Sequence, residues 1–236
     1  GGLVGYAINS STITNSYVTG SVTGTGDDTG GLVGGTWSNV TITNSYATGE
    51  VTGTGNDTGG LVGRAMGNST ITNSYATGSV TGEGDYTGGL VGEANTSTIE
   101  KSYATGSVTG TGNYHTGGLV GQVGSSKVSN SYATGSVSGT SRTGGLVGEA
   151  SGSTIEKSYA TGSVMGIGST GGLVGNAHSN STITNSYWDK DTTGQTSSAG
   201  GTGAKGKTTD EMKIRDTYEG WDFDKIWQIN EGSYPT

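Results

Sequence analysis

Thr29 to Gly63 reads TGGLVGGTWSNVTITNSYATGEVTGTGNDTGGLVG, and it opens and closes on the same six letters. Between the two copies lies a run of Thr, Ser, Asn and Gly with a few apolar residues. GGLVG begins at Gly1, Gly30, Gly59, Gly88, Gly117, Gly144 and Gly171, at spacings of 29, 29, 29, 29, 27 and 27 residues. A second anchor keeps step: Ser-Tyr places tyrosine at 17, 46, 75, 103, 132, 159 and 187. A period of this size marks a solenoid, a propeller or a repeat array.

The repeat is too rich in Gly, Thr, Ser and Asn for helices. Its apolar runs, TIT, SYATG, SVTG and GGLVG, are short and Gly-bounded, and they read as three short strands per copy. Strands this short need neighbours to be stable. A propeller blade needs four strands and about 40 residues. One repeat per turn of a β-solenoid fits. The expected fold is therefore all-β: a single-stack β-solenoid of seven coils of 27–29 residues, three short strands per coil. Residues 1–187 form the solenoid and 188–236 a capping segment with one helix and a short strand.

Composition agrees. The 236 residues include 49 Gly, 1 Pro and no Cys, and 28% are hydrophobic. The glycines lack the three-residue period of collagen. Only 13% of residues are charged, less than disordered chains usually carry. The net charge of -8 disfavours nucleic acid as a partner. No apolar run reaches the roughly 18 residues of a membrane span, so no membrane insertion is expected. The chain opens on Gly without a signal sequence and reads as a processed or excised segment.

In a solenoid each residue lies over its counterpart one coil away. Three columns form the expected core: Leu3 to Leu173, Ile13 to Ile183, and Val22 to Val164. The position after GGLVG varies from Tyr6 through Arg64, Glu93, Gln122 and Glu149 to Asn176, which reads as outward-facing. Counting back by two puts Leu inside and the GGLVG valines outside. Val4, Val33, Val62, Val91 and Val120 then form an apolar stripe for lateral contact; a glycine bulge would instead bury both residues. Glu100, Glu156, Lys101 and Lys157 imply a corner at Asn-Ser. After it, Tyr17, Tyr46, Tyr75, Tyr103, Tyr132 and Tyr159 either stack inward or form a surface ladder that binds sugar or protein.

Asp28, Asp57 and Asp85 read as one acidic edge. It either takes calcium, which favours oxygen ligands, or merely solvates the rod; otherwise no cofactor is expected. His115 and His178 fall in variable segments and read as solvated loop residues. No nucleophile–His–acid set follows from spacing, so no enzyme is expected. Thr-x-Thr rows suggest ice binding, but Glu100, Lys101, Lys127, Glu156 and Lys157 interrupt them.

After Tyr187 the rhythm stops. Thr208 to Glu211 is a capping box, Ile214, Thr217, Tyr218 and Trp221 share a helical stripe, and Gly220 ends the helix. Phe223, Trp227 and Ile229 suggest a strand. Nothing equivalent precedes Gly1, so the first coil reads as a cut through a longer array or an edge that meets another molecule.

The repeated TGGLVG with NSYATGSVTG resembles the GLUG repeat, and the tail NSYWDKDTTGQTSSAGGTG…GWDFDKIWQI resembles the usual end of GLUG arrays. That repeat occurs in large bacterial and archaeal surface proteins, including adhesin-like proteins and some immunoglobulin A-cleaving peptidases. The resemblance implies a secreted or surface-anchored module. It carries over no catalytic residues, because the peptidases also need a zinc-binding H-E-x-x-H segment that this sequence lacks. The expected role is an extracellular structural or adhesive rod. Its partners would be further copies of itself, or a host or neighbour-cell surface protein or glycan. A carbohydrate-binding module and a polysaccharide-processing β-helix are the alternatives.

Overall fold

The computed structural model describes residues 1–112 and 114–236, and it is a parallel β-solenoid. One coil runs through Val33–Trp37, Thr41–Thr43, Tyr46–Ala47, Val51–Gly53 and Asp57–Gly59. Each apolar run of the repeat thus makes its own strand. The Asp-Thr-Gly step before GGLVG pairs as well, so five short strands draw each coil. Every strand pairs in parallel with its counterpart one coil away, giving five sheets of six to eight strands. The register sets like over like: Val33 on Val62, Ile42 on Ile71, Tyr46 on Tyr75 and Val51 on Val80.

The Leu column from Leu32 to Leu173 and the Ile column form one continuous core with the small residues of the Ala7, Ala65, Ala94 and Ala150 column, whereas Leu3, on the first coil, is 53% exposed and lies outside it. Ala47, Ala76, Ala104, Ala133 and Ala160, next to the tyrosines, join it. The third column, Val51, Val80, Val108 and Val137, is buried in a separate small cluster.

The GGLVG valines are not a lateral stripe. Val33, Val62, Val91 and Val120 are wholly buried, and Val4, on the first coil, is half-buried. The cause is a bulge. The Leu32 and Val33 N–H groups both donate to the Leu61 carbonyl, at 2.9 and 3.0 Å. Leu61 and Val62 share the Leu90 carbonyl in the same way. Two residues against one break the alternation, and both side chains turn inward. The preceding glycines are required by close approach. A Cβ built on Gly59 would collide with the Val62 carbonyl, and one on Gly60 with the Gly89 carbonyl of the next coil.

The corner at Asn-Ser is real. Asn44, Asn73, Lys101, Asn130 and Lys157 all have φ of 48–50°, the left-handed region where Asn is tolerated best. The serine after each completes the turn. Ser45 Oγ donates to the Thr43 carbonyl at 2.9 Å, and Ser45 N–H donates to Ser74 Oγ at 3.2 Å. The same pair of bonds recurs at Ser74, Ser102, Ser131 and Ser158.

Beyond Tyr187, Asp189 caps the short helix Lys190–Thr193 through the Asp191 and Thr192 N–H groups. Ala204–Lys207 then pairs in parallel with Ser186–Asp189, so the short strand lies here and not near Phe223–Ile229. In the latter stretch Gln228 and Thr236 instead exchange two backbone bonds of 2.8 Å. The capping box of Thr208 and Glu211 is formed, but its helix spans Thr209–Met212 and stops short of Gly220. The Thr217 hydroxyl donates to the Glu211 carbonyl at 2.6 Å, which folds the chain back across the helix end.

Gly59→Ala should lower unfolding stability by about 2–4 kcal/mol, because the clash is with backbone that cannot yield. Gly26→Ala, where a Cβ meets nothing within 4 Å, serves as control and should change little. Urea unfolding of the two variants checks the pair; equal stabilities would count against close coil packing at Gly59.

Candidate functional site

Two features carry chemistry: the tyrosine column and a charged seam. The tyrosines stack ring on ring along the rod. Centroids from Tyr17 to Tyr159 lie 5.1, 4.8, 4.9, 4.8 and 5.1 Å apart, with interplanar angles of 2–12°. Parallel strand register imposes this spacing. The stack is a surface ladder at one end and core at the other. Tyr17 is 59% exposed, the next four rungs are half-buried, and Tyr159 is 1% exposed. Tyr187 leaves the stack and meets Tyr218 edge-on at 5.1 Å.

The burial comes from the cap. Trp221, Trp227 and Tyr234 fold back over Tyr159, and Tyr218 and Trp221 over Tyr187. The Tyr159 hydroxyl donates to the Pro235 carbonyl at 2.6 Å. Burial raises the Tyr159 and Tyr218 hydroxyls far above the usual tyrosine value and pushes Tyr132 up to about 12. Where the cap edge meets the free rungs, a groove of about 500 Å³ lies among Asn73, Lys101, Tyr103, Asn130, Tyr132 and Trp227. The exposed rungs present ring edges and hydroxyls, since neighbouring rings cover their faces.

The second feature lies where the GGLVG strands meet the Asp-Thr-Gly strands. Register aligns Asp28, Asp57, Tyr86, His115 and Arg142 in one column. It faces Arg64, Glu93, Gln122 and Glu149 of the neighbouring sheet. That column is not fully outward: Glu93 and Glu149 are buried in the seam. Arg64 Nε lies 3.0 Å from Glu93 and 3.8 Å from Asp57. Arg142 Nη1 lies 2.9 Å from Glu149 and donates to His115 Nε2, which places the imidazole hydrogen on Nδ1.

Asp57 is 3% exposed. Burial, the hydrogen bond with Asp28 and the Glu93 charge raise its carboxyl to about 9, so it keeps its proton at neutral pH. Burial lowers the His115 imidazole. Burial also opposes ionisation of Glu149, but the Asn176 amide, the Arg142 guanidinium and the His178 hydrogen bond outweigh it and hold that carboxyl below its ordinary value.

The acidic edge is thus corrected. Asp28 and Asp57 stack, but Asp85 lies one position off, aligned with Asp27 and Asn56, because the Tyr86 and His115 N–H groups bond the Asn56 and Asp85 carbonyls. Counting one repeat of 29 residues from Asp57 lands on Tyr86, so the sequence held this alignment. Among the described residues no three His, Asp or Glu side chains converge as a metal group. His115 is no solvated loop residue; it is 4% exposed on a strand, while His178 is exposed, 3.4 Å from Glu149.

Residues 1–23, 54–81, 83–109, 112–138 and 139–165 match the model of the GLUG motif. The chain belongs to the GLUG motif family. A Gly-rich protein of Evansella cellulosilytica, named as a candidate membrane protein, is 48% identical over 59 residues, 24% of this chain and 6% of that one. The GLUG chain thus matches a small part of that relative's length. The solved structure of a candidate immunoglobulin A1 protease from Bacteroides ovatus superposes with a TM-score of 0.57 at 21% identity, covering 99% of this chain and 73% of that one. This is a likeness of fold. No helix among the described residues is long and apolar enough to cross a membrane.

Asp57 links stability to pH. The unfolded carboxyl, near 3.8, has lost its proton at neutral pH, whereas the folded one keeps it to about 9. Stability should therefore fall as pH rises from about 4 to about 9. Asp57→Asn keeps a donor to Asp28 without this linkage. It should flatten the slope and raise stability at pH 8 by about 1–3 kcal/mol. Thermal melts of both proteins across this range check it; parallel curves would refute the shared proton.

Proposed function

We propose that this chain is a non-catalytic repeat module of an extracellular or cell-surface protein, a stiff rod that spaces and presents what it is joined to and adheres along its side. The observation that carries this reading is the unbroken parallel register from the first coil to the cap. Each coil contacts its neighbours through backbone bonds along most of its length, which resists bending. Chemistry is sparse by comparison: in the charged seam Arg64 faces Glu93 and Arg142 faces Glu149. Seven coils at about 4.8 Å per coil make a rod of roughly 34 Å before the cap.

A second reading is a carbohydrate-binding module, favoured by the groove of Tyr103, Tyr132, Asn73, Asn130 and Lys101. It would bind through amides, hydroxyls and ammonium groups at the ring edges rather than by stacking on ring faces. In either reading no cofactor is needed. The adhesive partner is a surface protein, a glycan or another copy of the rod.

Deleting residues 59–116 removes two whole repeats and joins Thr58 to Gly117. The rod reading predicts a folded protein about 10 Å shorter by small-angle scattering, with stability reduced in proportion to coil number. An unfolded or unshortened product would defeat it. A glycan array on both forms, with glycoside and peptide hydrolysis assays, separates the readings. Glycan binding lost with Tyr103 in the deletion supports the second, and turnover by the intact chain overturns both.

A further inference from the structure

We propose that the aromatic column is a relay for one-electron oxidation, carrying an electron hole along the rod and discharging it at the water-exposed tyrosines. The six stacked rings from Tyr17 to Tyr159 are in van der Waals contact without a gap, at centroid distances of 4.8–5.1 Å. At the cap end the column runs on into indoles. Trp227 lies 6.1 Å from Tyr132, Trp221 lies 6.2 Å from Tyr159, and the two indoles are 4.3 Å apart. Tyrosine and tryptophan are the side chains most easily oxidised by one electron in a chain without cysteine. Electron exchange between rings in contact is fast compared with the chemical decay of their radicals.

The protein environment sets where the hole stops. A phenol that loses an electron must also lose its proton to become a stable neutral radical. Tyr159 cannot do so readily, since its hydroxyl donates to the Pro235 carbonyl in a buried site, and a carbonyl is no proton acceptor of use here. Tyr17 is exposed, and Tyr46, Tyr75 and Tyr103 are partly so; their protons pass to water. A strong one-electron oxidant, such as the azide radical, takes an electron from a cap indole, is reduced to its anion and leaves the indole radical cation. Tyr132 or Tyr159 refills the indole, and each rung is refilled by the next. At an exposed rung the O–H proton goes to water and a phenoxyl radical remains. The net change is one electron to the oxidant and one proton to solvent. A small-molecule reductant such as ascorbate returns the phenoxyl to phenol. The relay thereby spares the cap tryptophans that close the stack.

The test places an oxidant at one end. The chain has no cysteine, and the exposed Thr236 lines the groove beside Trp227, so Thr236→Cys gives a unique handle at the cap end. A ruthenium photosensitiser on that thiol, flashed with a sacrificial acceptor, oxidises the adjacent indole. A soluble radical trap followed by peptide mass spectrometry locates the phenoxyls. The relay predicts labelling at Tyr103, Tyr75 and Tyr17, independent of protein concentration, with little at Tyr159. Tyr46→Phe with Tyr75→Phe keeps two stacked but unoxidisable rings; labelling of Tyr17 should fall at least tenfold while Tyr103 labelling rises. Circular dichroism confirms that the double variant is folded. No labelling beyond Tyr132 in the parent, Tyr17 labelling unchanged by the double variant, or preferential damage at Trp221 or Trp227 would each overturn the proposal.

Discussion

The register of one coil over the next governs this molecule. Each coil donates backbone hydrogen bonds to, and accepts them from, its neighbours at nearly every strand position, so a residue has no choice of partner but its own counterpart. The consequence is a rule of identity. A residue type that tolerates a copy of itself a strand spacing away can be repeated, and one that does not must be varied. Leu, Ile, Val and Ala stack as core. Ser stacks because its hydroxyl both donates and accepts, so each corner serine accepts from the serine N–H before it and donates to a carbonyl of its own turn. Tyr stacks because flat rings at this spacing fill the gap between them.

Charge obeys the same rule with more difficulty. Like carboxylates stacked in a buried seam repel, and Asp57 over Asp28 is the one place where the column repeats an acid. The strain is relieved by retaining a proton. Elsewhere the seam changes residue type from coil to coil, through Tyr86, His115 and Arg142, and sets Arg64 and Arg142 against Glu93 and Glu149. The irregular columns of the repeat are thus those where identity would be costly. Variation there does not by itself mark exposure, and this is why the column after GGLVG reads as outward from sequence while two of its glutamates are buried.

The period, the solenoid, the Leu and Ile columns and the Asn-Ser corner were legible because each rests on spacing or on one-residue conformational preference. The direction of the GGLVG valines was not, because alternation assumes an unbroken strand and a shared carbonyl breaks it. The Asp85 alignment is legible in the spacing: three similar loops suggest one edge, but counting 29 from Asp57 gives Tyr86. The helix after Thr208 was right in its start and wrong in its length, since a capping box is local while its end depends on Thr217 turning back and on Trp221 reaching Tyr159 and Tyr187. The half-exposed state of the tyrosines had no local signal. It follows from where the cap comes to rest.

The cap explains why the tyrosine column is both structure and surface. A solenoid end leaves strand edges and apolar side chains open; here Trp188, Ala199 and Ala204 pack against the end of the core, and further aromatic residues gather beyond them. Those residues do not simply sit on the last coil. Trp221 and Trp227 reach back along the side of the rod and cover the stack as far as Tyr132. The column therefore already has one partner, supplied by its own chain, and that partner uses aromatic edges and a hydrogen bond from a tyrosine hydroxyl. The uncovered rungs offer the same edges and hydroxyls at the same spacing. Any surface that meets this rod from the side meets a row whose chemistry the cap has already shown to support tight packing.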